Sequence, residues 1–156
     1  MSSKLSTRTG NIREFKIFQA NGGNSAEVEA AAVDIKYYED ILSNSVSLSV
    51  IITESGDSNN KKFGSRGILD GLPIRGGEAA NIIIVDHDGN KLEFKDEKKL
   101  YVNRVRNVIA GTQKDVYALD FTSREMLANE QCRVVKRYDG KISDNIKKIL
   151  TEATSA

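Results

Sequence analysis

The chain has few of the residues that build disulfides and metal sites. It contains one Cys and one His, which excludes an internal disulfide and a zinc site with paired histidines. A single cysteine agrees with a reducing compartment. The longest apolar run, residues 82–85, is far too short to cross a membrane. The N-terminal residues are polar and slightly basic with no apolar stretch behind them, so secretion by a signal peptide is not indicated.

The chain also lacks an excess of either positive or negative charge. The 23 basic and 22 acidic residues give a net charge of +1, which argues against bulk nucleic-acid binding, since that function usually shows a clear basic excess. The 39% hydrophobic and 29% charged residues fit a soluble globular protein. A chain of 156 residues can bury roughly two thirds of its unfolded surface as one domain.

The first part of the chain alternates apolar and polar residues with a period of two, which predicts β-strands. Phe15 and Ile17 fall on one face of a strand over residues 12–20. A Gly-rich turn follows, and β character resumes over residues 28–38, so the two segments are predicted to pair as a hairpin. The alanines at 30–32 would instead suit a helix, which leaves the start of the second strand open.

A long irregular segment separates the next two strands. A polar corner over residues 39–44 precedes a strand over 46–52, and residues 54–80 then show almost no periodicity. A loop of this length in a compact domain is usually functional or disordered. We predict that residues 54–66 are mobile and that residues 68–76 pack against another surface, of this chain or of a partner. The docked segment carries four apolar side chains, which are Ile68, Leu69, Leu72 and Ile74.

The second half of the chain predicts further hairpins. Residues 81–86 are apolar on both faces, which is typical of a strand covered on both sides. The Asp-Gly-Asn turn after it leads into a strand over residues 91–95. Another strand over residues 100–109 precedes a last one, in which Tyr117, Leu119 and Phe121 alternate with smaller or polar residues.

The last strand runs into two predicted helices. Thr122 and Glu125 have the spacing of a capping box, which predicts a helix over residues 123–135. An Asp-Gly break follows, and the apolar period after it predicts a second helix over residues 143–152. The chain ends soon afterwards without a closing element, so we expect it to stop where a larger protein would continue.

Together these elements predict a mainly β fold of the α+β class. We expect an antiparallel barrel or sandwich of about six or seven strands, closed or nearly closed, with two C-terminal helices at one side. The flexible N-terminal arm would cover residues 1–11, and a single domain would cover residues 12–156.

No group of residues predicts catalysis, a metal or a cofactor. Asp86, His87 and Asp88 resemble a metal or acid–base cluster, but a β-turn is favoured because the further ligands of a calcium loop are lacking. Cys132 lies on the apolar side of its predicted helix and is expected to be a buried small hydrophobe. The Gly-rich residues 75–78 lack the spacing of phosphate-binding loops and are interpreted as flexible backbone. We therefore expect a protein that is not an enzyme.

Two groupings keep a binding function open. A small basic patch on the predicted mobile loop consists of Lys61, Lys62 and Arg66. A solvated loop is the main interpretation of this patch, and contact with an acidic partner is the alternative. Tyr101 lies near Arg104 and Arg106, and an aromatic beside basic residues on strands is what a small β-barrel needs to bind an oligonucleotide or a peptide.

Three stretches of the chain carry a resemblance to a known family. They are YYEDILSNSVSLSVIITES (37–55), GLPIRGGEAANIIIVD (71–86) and VYALDFTSREMLANEQCRVVKRYDGKISDNIKKIL (116–150). In this order and spacing they resemble the baseplate hub proteins of contractile-tailed bacteriophages, specifically their first tail-tube-like barrel domain. The stretches cover nearly half the chain.

The resemblance implies a structural virion component rather than an enzyme. Hub proteins of this family are trimeric, and their tube-like domains form a pseudo-sixfold ring that joins the hexameric tail tube to the central spike. The implied partners are further copies of the chain in a trimer or hexameric ring, the tail tube protein, and the spike or other baseplate proteins. The implied location is the virion tail, assembled in the bacterial cytoplasm, with no membrane, cofactor or specific nucleic-acid partner. The family's chains are considerably longer, with a second barrel and further domains, so we expect this chain to be either a fragment or a reduced hub.

An interface is predicted in the irregular segment. Ring-forming barrels expose strand edges and long loops to their neighbours, and apolar islands in such a loop gain burial on assembly. The predicted assembly interface consists of Ile68, Leu69, Leu72, Ile74 and Arg75.

Overall fold

The computed structural model describes residues 10–55, 67–131, 133, 135 and 137–154. The strands are β1 (Asn11–Phe18), β2 (Ser25–Glu27), β3 (Ala32–Tyr38), β4 (Ser47–Ser55), β5 (Ala79–Val85), β6 (Lys91–Phe94), β7 (Leu100–Ala110) and β8 (Lys114–Ser123). The helices are α1 (Ile68–Gly71), α2 (Arg124–Gln131) and α3 (Ile142–Thr154), and a 3-10 turn spans Asp96–Lys98. None of the helices within these ranges has the length and apolar character needed to cross a membrane.

The eight strands form one antiparallel sheet in the order β2-β1-β5-β7-β8-β4-β3, with β6 paired to the second half of β5. The predicted α+β class is thereby confirmed. Within the described ranges no ladder joins β2 to β3, so the closed barrel is not formed as a continuous set of strand pairings. The sheet has more strands than predicted because β2, a strand of three residues, is too short to show an alternating pattern.

The two end strands of this sheet are consecutive in the chain and meet at a tight corner. The Val28 N–H, just after β2, donates to the Phe15 carbonyl of β1 at 2.7 Å. The Ala31 N–H closes a turn onto the Val28 carbonyl at 3.0 Å, and the Ala31 carbonyl accepts from the Thr53 N–H of β4 at 2.9 Å. This short segment is therefore hydrogen-bonded to both halves of the sheet.

The hairpin predicted between residues 12–20 and 28–38 is wrong. β1 pairs with β2, and β3 pairs with β4. The corner after β2 redirects the chain before the second segment becomes extended. A register shift between Ala32 and Asp34 then turns Val33 into solvent, which breaks the predicted alternation.

One core lies between the two halves of the folded sheet. The rings of Phe15 in β1 and Phe121 in β8 meet edge to face with centroids 5.6 Å apart, although their strands are not neighbours. The predicted apolar faces are confirmed in three strands. Their buried side chains are Phe15 and Ile17 in β1, Leu48, Val50 and Ile52 in β4, and Tyr117, Leu119 and Phe121 in β8.

The irregular segment after β4 contributes to this core. Ile68 and Leu72 are 1% and 0% exposed, which confirms that this segment docks. Their burial corrects the interface prediction for these two residues, because side chains enclosed by their own chain offer no surface to a partner. Leu69 and Ile74 are half-buried and Arg75 is exposed, so an interface at these three stays a prediction.

Other predictions for this part of the chain have mixed outcomes. Glu54, predicted to lie in a mobile loop, is a buried residue of β4. Residues 56–66, which include the predicted basic patch, lie outside the described residues, as do residues 1–9 of the predicted arm. Asn11, the last residue of that arm, begins β1.

The C-terminal helices differ in how well they were predicted. α2 ends at Gln131, short of the predicted end at 135. The capping box does not form, because Thr122 stays in β8 and its hydroxyl donates to the Val46 carbonyl at 3.4 Å. α3 agrees with its prediction within a few residues, while Cys132 lies outside the described residues.

Candidate assembly surfaces

Large apolar side chains are exposed on segments that project from the core. Fully burying such a side chain stabilises a protein by about 1.5–3 kcal/mol, so clusters of exposed ones commonly mark interaction surfaces. Three clusters stand out, and we name them the 39–45 loop, the hairpin tip (residues 107–113) and the α3 face. Their exposed residues are Ile41 and Leu42, Val108 and Ile109, and Ile142, Ile146 and Ile149.

The 39–45 loop, between β3 and β4, holds its two apolar side chains in water. Ile41 and Leu42 are 98% and 92% exposed. The Asp40 carboxylate accepts the Leu42 N–H at 2.8 Å, and the Ser43 N–H donates to the Asp40 carbonyl at 2.9 Å. The Ser43 hydroxyl continues the network to the Ser45 carbonyl at 2.9 Å. Hydrogen bonds therefore fix the backbone that presents this apolar pair.

The base of the 39–45 loop is tied to the core. Tyr37, the last inward-facing residue of β3, packs its ring against Phe94 of β6 with centroids 5.5 Å apart. Its hydroxyl donates to the Glu39 carboxylate at 2.8 Å. Burial and the hydrogen bond to Glu39 raise the pKa of Tyr37 to about 12. The hydroxyl therefore remains a donor at neutral pH and holds the first residue of the loop in place.

The hairpin tip extends β7 and β8 beyond the core. A register shift between Arg106 and Ile109, with Asn107 at a φ of 53°, breaks the alternation of β7. Val108 and Ile109 are consequently both exposed. The tip itself is closed by the Gly111 N–H, which donates to the Lys114 carbonyl and the Asp115 carboxylate, each at 3.1 Å.

The α3 face is an apolar stripe without a partner in the described chain. Ile142, Ile146 and Ile149 recur with helical spacing and are 77%, 50% and 42% exposed. α2 packs against β7 and β8, but α3 shows no comparable packing on any described strand or helix. The amphipathic pattern that predicted this helix is therefore not explained by burial against its own sheet.

The segment that enters β5 is fixed by a buried glutamate rather than being flexible. The Glu78 carboxylate is 2% exposed and accepts the backbone N–H groups of Arg75 and Gly76, each at 2.8 Å. Gly76 and Gly77 have φ values of 112° and 85°, which residues other than glycine rarely adopt. The N–H groups that would cradle a phosphate thus already bind Glu78.

The Asp86–Asp88 cluster stabilises the turn between β5 and β6 by hydrogen bonds. The Asp86 carboxylate accepts the N–H groups of Asp88 and Asn90 and the Asn90 side-chain amide, at 2.8–2.9 Å. These hydrogen bonds, chiefly that of the Asn90 side chain, lower the pKa of Asp86. His87 lies beside Asp88, with 3.0 Å between Nε2 and Oδ1. The turn predicted between β5 and β6 is confirmed.

The outer face of the sheet carries an ion pair in a groove of about 420 Å³. Arg106 donates from Nε and Nη2 to the two carboxylate oxygens of Asp120, at 2.5 and 2.7 Å, and from Nη2 to the Ser49 hydroxyl at 3.2 Å. The hydrogen bonds from Arg106 are the main cause that lowers the pKa of Asp120. The same pair raises the pKa of Arg106.

The aromatic residue of this groove is not the predicted one. Tyr101 is half-buried and does not line the groove, whereas Tyr38 lines it and is 57% exposed. Arg104 and Lys36 complete the basic residues of its wall. Sequence reasoning missed Tyr38 because β3 and β7 become neighbours of one groove only through β4 and β8.

The most exposed apolar surface was also not predicted from the sequence. Ile41 and Leu42 stand inside what was interpreted as a polar corner, and an adjacent apolar pair in a polar loop was the available signal. No protein-family model, curated protein or solved structure matches this chain. The surfaces described above are therefore the observations from which a function can be argued.

Proposed function

We propose that this chain is a structural, non-enzymatic component of a contractile phage tail or related injection device. In this proposal it forms part of a ring that joins the tail tube to the central spike. The observation that carries the proposal is the exposure of large apolar side chains on the 39–45 loop, the hairpin tip and the α3 face. The core is formed without them, and a ring subunit needs such projecting surfaces because each copy contacts two neighbours.

The resemblance to baseplate hub proteins gives this assembly its identity in the proposal. The three resembling stretches include β4, β5 and α2 and most of β8 and α3. They also include the 39–45 loop and the Glu78-fixed entry into β5, two local structures held by side-chain hydrogen bonds.

The tube-like form of the domain is also part of the proposal. The corner after β2 is hydrogen-bonded to β1 and to β4, so the chain itself links the two ends of the folded sheet. A barrel closed at this corner would offer loops at both ends and helices at its side to neighbours. The mechanism is geometric: the copies surround a channel, with the tail tube protein on one side and the spike or another baseplate protein on the other.

Light scattering after size exclusion tests the proposal across a concentration series of the full chain. The average mass should rise with concentration to three or six copies. Val108→Asp at the hairpin tip should weaken this rise, since a charge would be buried in an interface. The matched control is Val33→Asp, which changes an exposed valine of β3 outside the three clusters. A mass of one copy at every concentration contradicts the proposal.

A small binding module is the second candidate, and one observation favours it. The outer groove places exposed Tyr38 beside Arg104, Arg106 and Lys36, which is a combination that binds single-stranded nucleic acid. Asp120 neutralises Arg106, however, and the Asp34 Oδ2 atom lies 3.3 Å from the Lys36 Nζ atom. Little unpaired positive charge therefore remains in the groove. Fluorescence anisotropy with a labelled single-stranded oligonucleotide tests this candidate. Binding that weakens with salt and on Arg104→Ala would favour it over the assembly function.

A further inference from the structure

We propose that the 39–45 loop of one copy docks on the α3 face of a second copy. The copies would then associate head to tail, because the two contacting surfaces are different parts of the chain. This inference rests on the proposed self-assembly and names the contact that produces it.

The two surfaces match in apolar character. The 39–45 loop presents Ile41 and Leu42 almost completely to solvent on a backbone held by the Asp40 carboxylate. The α3 face is a stripe of three isoleucines. A short apolar anchor against the apolar side of a helix is a common mode of recognition between proteins, and a rigid anchor loses little entropy on binding.

The charges around the two surfaces are opposite. The 39–45 loop carries Glu39 and Asp40 and no basic residue, for a net charge of −2. Residues 141–154 carry three lysines and two acidic residues, for a net charge of +1. By the helical period, Lys141 and Lys148 lie on one side of the isoleucine stripe, on the same side as Glu152, and Lys147 lies toward the opposite face of the helix. The acidic loop would therefore meet a helix whose segment carries a net positive charge.

Neither surface is covered by another element of the described chain, so both are accessible to a second copy. α3 shows no packing on the described strands and helices comparable to that of α2. The 39–45 loop projects from a hairpin whose inner residues are already paired. A contact between different surfaces of identical copies closes into a ring when its rotation allows closure, and otherwise grows as a filament.

Complementation between two variants tests this contact. Leu42→Asp removes the loop anchor but keeps α3, and Ile146→Asp removes the α3 face but keeps the loop. Each variant alone should lose association by about 30-fold or more. An equal mixture should form dimers with one copy of each variant, because one intact loop then meets one intact helix. Light scattering with size exclusion measures the mass, and native mass spectrometry identifies the two copies.

Matched controls separate this contact from the wider proposal. Val33→Asp, an exposed position outside both surfaces, should associate like the wild type, and circular dichroism checks that each variant is folded. Association should also weaken when salt is raised from about 50 to 500 mM, because the opposite charges are screened. If the wild type assembles but the mixed variants stay monomeric, or if either variant assembles normally, the pairing is overturned while the proposed function stands. A wild type that remains monomeric overturns both.

Discussion

Glu54 is a charged residue inside the core, and two donors hold it there. It is 4% exposed, and its carboxylate accepts the Tyr117 hydroxyl and, at 2.8 Å, the Ile68 N–H. Burial and this carboxylate raise the pKa of Tyr117, so the hydroxyl stays a donor. A side chain at Gly67 would come within 2.5 Å of a Glu54 oxygen, which explains why glycine precedes α1. One buried carboxylate thus joins β4, β8 and α1.

Removing the Tyr117 hydroxyl should destabilise the fold. Tyr117→Phe leaves one oxygen of the buried Glu54 without its donor, and an unsatisfied buried group costs about 1–3 kcal/mol. Urea unfolding followed by circular dichroism measures the free energy of unfolding. The control is Tyr38→Phe, whose exposed hydroxyl should matter by less than about 0.5 kcal/mol. Equal unfolding midpoints for the two variants would contradict this role of Glu54.

Asp120 should make stability depend on acid pH. Arg106 lowers the pKa of Asp120 in the folded chain, while the unfolded value is about 3.9. The pair therefore adds stability above about pH 4, and this contribution is lost as the pH falls through the lower folded value. In acid titrations of unfolding, Asp120→Asn should be less stable than the wild type at pH 7, with the gap narrowing below about pH 4. Asp34→Asn, which breaks an exposed ion pair, should show a much smaller gap at pH 7.

At the scale of single residues, alternation predicted the core well but gave no information on local hydrogen bonds. Phe15, Leu119 and Phe121 were placed correctly because a period of two fixes the face of a strand. The buried positions of Glu54 and Glu78 could not be predicted. Their environment depends on donors supplied by segments that fold against them, such as the Ile68 N–H and the N–H groups of residues 75 and 76.

At the scale of elements, the limits of prediction lie at bulges and corners. Strands with clear alternation, such as β4 and β8, were recognised, whereas β2 was not. The shift at Val33 in β3 and the one before Ile109 in β7 change which side chains face water. The helical period predicted α3 but could not say that its apolar stripe would lack a partner in the described chain.

Removal of α3 should separate stability from assembly. Since α3 shows no substantial packing on the described sheet, a chain that ends at Lys141, just before α3, should keep its thermal unfolding midpoint within about 2 °C. The same truncation should abolish the rise of mass with concentration. A chain that ends at Ser123 is the contrast, because it also removes α2, which packs on β7 and β8. A large drop in midpoint for the first truncation would show that α3 supports the core.

At the scale of the whole molecule, the class of the fold was predictable and its closure was not. Hairpin turns and alternation indicated an antiparallel α+β domain. Whether the sheet closes depends on the pairing of residues far apart in the chain, and the corner after β2 links the two ends without a ladder between β2 and β3. The surfaces that carry the proposed function were only partly predictable. Ile68 and Leu72 were predicted to lie at an interface but belong to the core, whereas the exposed pair Ile41 and Leu42 lies in the 39–45 loop.

Electron microscopy of the wild-type chain at high concentration tests the central claim most directly. If the chain is a ring-forming tail component, negatively stained particles should include closed rings with threefold or sixfold symmetry and a central channel. The Leu42→Asp variant, imaged at the same concentration, should show single particles. Wild-type fields that contain only single particles, or assemblies with no ring symmetry, would contradict the account.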